Sequence, residues 1–228
     1  MATRNTKTVI MDAAELMMAK HGIQGVSLRA ILSEAGANSA ALHYHFGSRE
    51  GLIEAIIGRH GFANNLRRRE LLEPLLESKD TVTTHDVINV IVDPFVEMLH
   101  EKGEAGRRFI RFLARLQSDQ LDVHRALERQ TFPDIVEGVF HLFALACPGI
   151  PEDELARRAA IIINTMIHSF ANADVMSEVW EDDHRIDVLD QDVTTLKNFL
   201  SAGLAAPYRA AENSSKGVTT EESRAIIN

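Results

Sequence analysis

The segment SLRAILSEAGANSAALHYHFGSREGL, residues 27–52, predicts three helix starts separated by tight turns. Each start has a residue of a type that caps helix N-termini, namely Ser27, Asn38 and Ser48. Gly36 follows the first apolar repeat, where a left-handed residue commonly ends a helix and glycine adopts that conformation at little cost. Two short helices joined by such a turn form a helix-turn-helix, whose second helix enters a groove of DNA. The segment therefore predicts a DNA-reading unit.

Apolar residues recur at helical spacing in the rest of the chain, and no segment alternates as an amphipathic strand does. The helices expected outside the helix-turn-helix are Thr6–His21, Ser48 to about Arg69, His85–Glu101, Arg107–Ser118, Leu121–Ala146 with a break near Pro133, Pro151–Val175, and a last one carrying Val193, Leu196, Phe199 and Leu200. Pro94 predicts a kink in its helix. The expected fold class is all-α.

The length of 228 residues allows two domains. Residues 1–50 form the predicted three-helix, helix-turn-helix DNA-binding domain, and the helix of about residues 48–69 connects it to the remainder. Residues 51–206 form a predicted larger helical domain. Residues 207–228 carry few apolar side chains, which predicts a disordered tail.

Charge is unevenly distributed along the chain. The net charge is −9, yet residues 1–70 hold nine Lys and Arg against six Asp and Glu. The helix-turn-helix therefore lies in the net-basic portion. An acidic remainder that is held away from the phosphates is compatible with DNA binding. We expect double-stranded DNA as a partner, with weak non-specific binding.

The sequence also indicates where the protein works. No apolar run approaches the roughly 20 residues of a membrane-spanning helix. The first residues, MATRNTKT, lack the apolar core of a signal peptide. The lone Cys147 cannot form an internal disulfide, which fits a reducing compartment. We expect a cytoplasmic protein with no membrane contact.

Residues 5–57 resemble the DNA-binding domain of TetR-type (tetracycline-repressor family) transcriptional regulators. The segments that carry the resemblance are Ala13–Leu16, Gly22, Ser27–Ile31, Ala35–Gly36 and Leu42–Leu52. The resemblance implies a homodimeric repressor that leaves a near-palindromic operator when a small-molecule effector binds, with residues 51–206 as the effector-binding and dimerisation domain. The string NSAALHYHFGS is also similar to a subgroup in which some members sense fatty acyl ligands. An apolar or amphipathic effector is therefore expected.

The predicted second helix of the helix-turn-helix begins with residues suited to base edges. Ser39 can donate or accept, and the methyl group of Ala40 suits a thymine methyl. Tyr44 and His45 suit phosphate, or a base edge at one end of the site. With the basic N-terminal arm included, the expected DNA contacts are Arg4, Lys7, Ser27, Arg29, Asn38, Ser39, Ala40, His43, Tyr44, His45 and Arg49. The alternative is that Asn38 only caps its helix and His45 packs inside.

The resemblance implies roles for three of these residues. Arg29 corresponds to an arginine that reaches a guanine. Arg49 corresponds to a basic residue that anchors a phosphate, helped by the N–H groups of its helix start. His43 stands where the family usually has a tyrosine that touches a phosphate, and a histidine makes that contact dependent on pH.

Candidates for an effector pocket lie in the later helices. Asn164, His168 and Asn172 recur every four residues on an otherwise apolar predicted helix, and buried polar groups need partners. These three side chains line a pocket, form hydrogen bonds across a dimer interface, or have hydrogen-bond partners within the core. Aromatic residues could wall an apolar cavity, although such residues are more often plain core. The expected effector-binding residues are Phe95, Phe112, Phe140, Asn164 and His168.

Two arginine clusters have alternative interpretations. Arg107, Arg111 and Arg115 form a basic stripe that serves an anionic effector or braces against DNA, or is a solvated face that pairs with nearby carboxylates. We favour the solvated face. The run Arg67–Arg69 touches DNA flanks or nothing at all.

No motif in the sequence predicts a catalytic or metal-binding site. His43 and His45 have the spacing of a metal-binding pair on a strand, but on a helix residues two apart lie about 200° apart around the axis. The sequence has no glycine-rich phosphate loop, nucleophile elbow or zinc-protease motif. We expect no enzyme, no cofactor and no metal. Two alternatives are a constitutive DNA-binding module without an effector and a metal-dependent hydrolase that uses some of the 10 histidines.

Overall fold

The computed structural model describes residues 5–119, 132–172 and 187–208, and every regular element in those ranges is an α-helix. In chain order these helices are α1 (Thr6–His21), α2 (Leu28–Glu34), α3 (Ser39–Phe46), α4 (Arg49–Glu77), α5 (Thr84–Lys102), α6 (Glu104–Ser118), α7 (Pro133–Ala146), α8 (Glu152–Ala171) and α9 (Asp187–Ala205). The predicted all-α fold is confirmed. None of the helices in the described ranges has the length and apolar composition needed to cross a membrane.

The three predicted N-caps all form around the helix-turn-helix. The side chains of Ser27, Asn38 and Ser48 each accept a hydrogen bond from the backbone N–H three residues later, at 3.2, 2.9 and 3.2 Å. Gly36 and Gly47 lie at φ +60° and φ +72°, a left-handed region that strains residues with a side chain. These caps and turns fix where α2 ends and α3 begins.

Helix α4 is longer than expected and runs through Pro74 to Glu77 instead of ending near Arg69. Its later part packs against α7. Leu72 is 3% exposed, and a Cβ added to Gly138 of α7 would lie 2.7 Å from the Leu72 side chain. The close packing of the two helices stabilises a segment that a proline on its own would tend to end.

Other helix boundaries differ from the expected ones by a few residues or lie outside the described ranges. Helix α6 begins at Glu104 rather than Arg107, because Gly103 at φ +50° ends α5 and reverses the chain there. Helix α7 begins at Pro133, and residues 121–131 of the helix expected before it lie outside the described residues. Residues 173–175, at the expected end of α8, and residues 209–228 of the expected tail also lie outside them. The kink at Pro94 stays a prediction.

The described helices share a continuous hydrophobic core that links two parts, which we call the head (α1–α3) and the body (α5–α9). Helix α1 packs against α2, α3 and α4 and also against α6 of the body. Helix α4 begins beside the head and continues along α5 and α7. Helix α5 lies centrally in the body, as its apolar sequence predicted, in contact with α4, α6, α7 and α9. The head is thus seated on the body through α1 and α6.

Candidate DNA-binding surface

Helix α3 has one buried side and one exposed side. Leu42 is 1% exposed and belongs to the core, which fixes the helix against the rest of the head. Ser39, Ala40 and His43 are exposed, and Tyr44 is 86% exposed. Polar and aromatic groups that meet solvent on a short helix after a tight turn are the arrangement with which a recognition helix meets DNA. The predicted base and phosphate contacts on α3 are therefore accessible.

Two of the expected DNA contacts are also helix caps. Asn38 Oδ1 accepts from the N–H of Ala41, and Ser27 Oγ accepts from the N–H of Ala30. The Asn38 cap engages only Oδ1, so a base contact through Nδ2 is compatible with it. The Ser27 hydroxyl keeps its own O–H for donation. Capping is confirmed for both residues, and their DNA contacts stay predictions.

His43 is held in one ring orientation by the turn that follows α3. Its Nδ1 donates to the carbonyl oxygen of Gly47 at 2.9 Å, an atom that can only accept. The neutral ring therefore carries its proton on Nδ1 and presents Nε2 as an acceptor. A phosphate also only accepts, so His43 can donate to it from Nε2 only when the ring is charged.

Tyr44 and His45 differ in exposure although they are neighbours. The Tyr44 ring meets the His45 ring edge-on, with centroids 5.0 Å apart, and His45 in turn meets Phe46 with centroids 6.0 Å apart. His45 is half-buried within this row of rings. Tyr44 is thus the better placed of the two for DNA, and His45 combines packing with a smaller accessible surface.

Arg29 of α2 lies beside the recognition helix. It is exposed and shares a groove with Ser39 and His43 of α3. The other residues that line this groove between the helices are Leu28, Leu32, Ser33, Ala37 and Leu42. The structure therefore brings together three of the residues for which we expected base or phosphate contacts.

Arg49, the expected phosphate anchor at the start of α4, has a partner within the head. Its Nη2 donates to the carbonyl oxygen of Ile23, and the side chain is half-buried. The backbone N–H of Glu50 and the Ser48 hydroxyl lower the pKa of the Glu50 carboxyl by hydrogen bonding to it. This carboxylate engages donors that we expected to serve a phosphate. Arg49 therefore links the start of α4 to the turn after α1, and its phosphate contact stays a prediction.

The basic arm is described only from Asn5 onward. Asn5 caps α1 by accepting from the N–H of Lys7 at 3.0 Å, and Lys7 is exposed in the first turn of that helix. Arg4 lies outside the described residues. The position of Lys7 leaves its predicted DNA contact open.

Two family models match this sequence. The model described as "Bacterial regulatory proteins, tetR family" matches residues 10–56, which contain α2 and α3. The model described as "Tetracyclin repressor-like, C-terminal domain" matches residues 89–203, half of the chain. The chain belongs to the tetR family.

Curated relatives of this tetR-family chain match its N-terminal part. The HTH-type transcriptional repressor KstR2 of Rhodococcus jostii is 31% identical over 78 residues, 33% of this chain and 37% of KstR2. The HTH-type transcriptional regulator UidR of Escherichia coli is 28% identical over 96 residues, 42% of this chain and 44% of UidR. The chain thus matches less than half the length of these relatives.

Solved structures show the same fold over most of the chain. AmtR of Mycobacterium smegmatis superposes with a TM-score of 0.55 at 17% identity, covering 92% of this chain and 90% of AmtR. A TetR transcriptional regulator from Legionella pneumophila gives a TM-score of 0.51 at 18% identity, covering 89% and 98%. These likenesses extend the family fold from the head through the body.

The expected effector-binding residues of this tetR-family chain occupy different environments. Phe112 is 0% exposed and Phe95 is 7% exposed, both within the core. Asn164 and His168 are half-buried on α8. Phe140 keeps 37% of its surface exposed on α7. The assignment of these five residues to an effector pocket stays a prediction.

The arginine clusters pair with carboxylates of the protein. Arg67 donates to Glu97 and Glu70, and Arg69 pairs with Asp134. Arg68, the remaining arginine of that run, is 9% exposed. Its guanidinium carbon lies 5.8 Å from the centre of the Phe95 ring. All three arginines of the run therefore have contacts within the protein, so the alternative that they touch nothing is wrong. In the stripe on α6, Arg107 and Arg111 both pair with Glu104, which favours the solvated face.

A cluster that the sequence analysis missed joins the head to the body, and we call it the Glu15 junction (Glu15, Arg59, His60 and Arg108). Glu15 of α1 is 0% exposed. Its Oε1 accepts from Arg108 Nε of α6 at 3.0 Å. Its Oε2 lies 2.9 Å from His60 Nε2 and accepts from Arg59 Nη2, both of α4. Three helices thus meet at one buried carboxylate.

The electrostatics of the Glu15 junction favour the charged carboxylate. Burial raises the pKa of Glu15, but the hydrogen bond and charge of His60 and the hydrogen bonds of Arg108 and Arg59 outweigh it, and the pKa is lowered from 4.5 to about 2. Glu15 belongs to a segment that carried the family resemblance, which was the available signal. Its partners are distant in sequence, so the sequence alone did not identify them.

Among the described residues there is no group of three or more His, Cys, Asp or Glu side chains that could hold a metal ion. His43 and His45 lie in different environments on α3, one exposed and one half-buried. The expectation of a protein without a metal stays a prediction.

Proposed function

We propose that this tetR-family protein is a sequence-specific DNA-binding transcriptional regulator, a homodimeric repressor that leaves a near-palindromic operator when a small-molecule effector binds. Residues 1–50 serve as the DNA-binding domain and residues 51–206 as the effector-binding and dimerisation domain. The protein acts in the cytoplasm without catalysis, cofactor or membrane contact. Its effector is apolar or amphipathic.

One observation carries the DNA-binding part of this proposal. The exposed side of α3 joins Ser39, His43 and Tyr44 to Arg29 of α2, with the helix anchored behind them by Leu42. Side chains on the first turns of such a helix reach base edges, tyrosine reaches phosphates, and arginine reaches either a phosphate or a guanine. Tyr44 is 86% exposed, which is unusual for an aromatic side chain without a partner molecule and fits a nucleic-acid contact.

Exposed apolar side chains support the homodimer. Ile161 of α8 is 63% exposed and Phe199 of α9 is 70% exposed, and the two helices are in contact within the protomer. Two helices from each of two protomers would bury these side chains in a four-helix bundle. The bundle would place the two heads in successive major grooves, about 34–36 Å apart.

The release mechanism requires an effector that binds the protein better when its heads do not fit the grooves. A coupling of about 1–3 kcal/mol between effector and DNA would change operator affinity about 5–150-fold. Asn164 and His168 are half-buried on α8, where they suit the polar end of an amphipathic molecule. A series of fatty acids and their acyl-CoA thioesters tests this part, and equal operator affinity with every compound would favour the constitutive alternative.

The experiment that tests DNA recognition is selection of bound duplexes from random DNA by the full-length protein. We expect a near-palindromic consensus, and fluorescence anisotropy then gives the affinity for that selected duplex. Tyr44→Ala should weaken binding about tenfold, the equivalent of about 1.4 kcal/mol. Ser39→Ala should change preference at particular base pairs and leave non-specific affinity nearly intact.

The chain offers a matched control for the tyrosine. Tyr208 is the second of its two tyrosines, lies after α9 and is 40% exposed. Tyr208→Ala should bind the selected duplex as the wild type does. No enriched sequence, or the same loss in both tyrosine variants, would contradict the proposed DNA-binding surface.

A further inference from the structure

The Glu15 junction joins α1 to α4 and α6 through several directional contacts. Both carboxylate oxygens of Glu15 are engaged, one by Arg108 and the other by Arg59 and His60. The His60 ring also stacks on Phe109 of α6, with centroids 4.2 Å apart. Since Glu15 is 0% exposed, none of these contacts involves DNA.

The apolar contacts of α1 combine large and small side chains. Its buried apolar residues are Ile10, Met11, Ala13, Ala14, Met18 and Ala19. Hydrophobic contact is non-directional, whereas charge-assisted hydrogen bonds need a defined distance and direction. The Glu15 junction therefore adds a directional constraint to these apolar contacts.

A second contact, a hydrogen bond, joins the head to the C-terminal end of α6. Asp119, which follows α6, accepts through Oδ2 from the backbone N–H of Gln24 in the turn after α1 at 3.0 Å. Arg108 and Asp119 are separated by eleven residues, roughly 16 Å along a helix. Two attachment points at this separation define a direction as well as a position. The head is thus held on α6 at both ends of the contact.

Buried charge clusters are not needed for stability as such, because well-packed apolar residues of similar volume often stabilise a fold as well or better. A role in fixing one arrangement accounts for the retained charges. We propose that the contact between Arg108 and Glu15 positions the head for DNA binding, by holding α1 at one angle on the body so that α3 meets its groove in register. Arg108 and Glu15 act as positioning residues, because Arg108 donates to a carboxylate that is fully buried.

The first arm of the test measures the angle without DNA. In the full-length protein with Cys147→Ser, spin labels are placed at Glu34→Cys of the head and Glu101→Cys of the body, both exposed positions. With the labelled protein diluted into an excess of unlabelled protein, pulsed dipolar spectroscopy then gives the distance distribution within a protomer. Arg108→Gln should broaden it, whereas the wild-type residue should give a narrow one.

The matched control lies next along α6. Arg107→Gln makes the same substitution at an arginine that pairs with Glu104 of its own helix, at 3.6 Å, instead of with Glu15. It should leave the distribution narrow. Arg108→Lys keeps the charge and the ability to donate to Glu15 and should narrow the distribution again. A narrow distribution in Arg108→Gln would overturn the proposal.

The second arm uses the DNA duplex selected by the wild type and a random-sequence duplex of equal length, and it rests on the proposed function. Arg108→Gln should lose about tenfold affinity for the selected duplex and stay within about twofold on random DNA, because its phosphate contacts remain. Equal loss on both duplexes, or none, would overturn the positioning role. If the wild type selects no duplex, the proposed function fails, whereas the distance arm still decides whether Arg108 sets the angle.

Discussion

The exposed side of α3 and the Glu15 junction are both polar, yet they are built in opposite ways. On α3, Ser39, His43 and Tyr44 meet solvent. At the junction, Glu15 is 0% exposed and both its oxygens have partners inside the protein. The first region leaves polar groups for another molecule, whereas the second engages both oxygens of its carboxylate inside the protein.

This difference separates binding from stability. A buried charge that loses its partner is costly, because neither water nor another group replaces the lost contact. An exposed side chain that is removed leaves little behind except solvent. Substitutions at the Glu15 junction should therefore change the free energy of unfolding, whereas substitutions on α3 should change DNA affinity at constant stability.

The largest expected effect is on the stability of Glu15→Ala. The substitution leaves Arg59, His60 and Arg108 around a site without its carboxylate. Breaking a buried ion pair in this way costs about 3–5 kcal/mol. We expect the free energy of unfolding, measured by urea denaturation with circular dichroism, to fall by that amount.

Tyr44→Ala provides the comparison on the exposed side. Its free energy of unfolding should stay within about 0.5 kcal/mol of the wild type, as for most surface substitutions. Similar stability losses in Glu15→Ala and Tyr44→Ala would remove the distinction between the two regions.

The acid dependence of stability is the second expected effect. The pKa of Glu15 is lowered from 4.5 to about 2 in the folded protein, so folding favours the charged carboxylate. Its contribution, on the order of 3 kcal/mol, is fully present above pH 4.5 and is lost as the pH falls toward 2. The difference in unfolding free energy between the wild type and Glu15→Gln should therefore shrink over that range. A difference that is independent of pH would show that the charge is not responsible.

A smaller effect is expected at His43 and concerns binding. Because Nδ1 donates to the Gly47 carbonyl oxygen, the ring donates to a phosphate only in its charged form. Histidine loses its charge between about pH 5 and 8. Affinity for the selected duplex should fall several-fold, up to about tenfold, as pH rises from about 6 to 8 at constant salt. His43→Tyr restores the family's usual donor and should flatten this dependence.

The control for His43 is an exposed histidine of the body. His141 lies on α7, and His141→Tyr should keep the wild-type dependence of affinity on pH. If His43→Tyr also keeps it, the proton that affects binding belongs to another group.

Local chemistry made the head predictable from the sequence. The caps at Ser27, Asn38 and Ser48 and the left-handed Gly36 depend only on residues within a few positions. The bounds of α1 were predicted correctly for the same reason. The end of α4 was wrong, because it depends on the contact between Leu72 and Gly138, which are distant in sequence.

The Glu15 junction could not be predicted from the sequence. Arg59, His60 and Arg108 are 44, 45 and 93 residues from Glu15. Arginine is mostly exposed in proteins and histidine is intermediate, so no local pattern indicated that these residues meet at a buried carboxylate. Burial of single side chains depends on how distant helices pack.

The smallest expected effect is at Arg67, where α4 runs beyond the head. Arg67 donates to Glu97 of α5 from Nε and Nη2, at 2.8 and 3.0 Å, with a side chain that is 40% exposed. Exposed ion pairs contribute less than about 1 kcal/mol, so Arg67→Gln should lower the free energy of unfolding by no more than that. Affinity for the selected duplex should stay within about twofold.

The salt dependence of binding decides between the interpretations of Arg67. A residue that neutralises one phosphate contributes about one unit to the slope of log affinity against log salt concentration. Arg67→Gln should leave this slope unchanged, because its guanidinium is engaged by Glu97 and Glu70. A slope reduced by about one unit would show that Arg67 exchanges these carboxylates for a DNA flank. The reach of the DNA-binding surface would then extend from the head along α4.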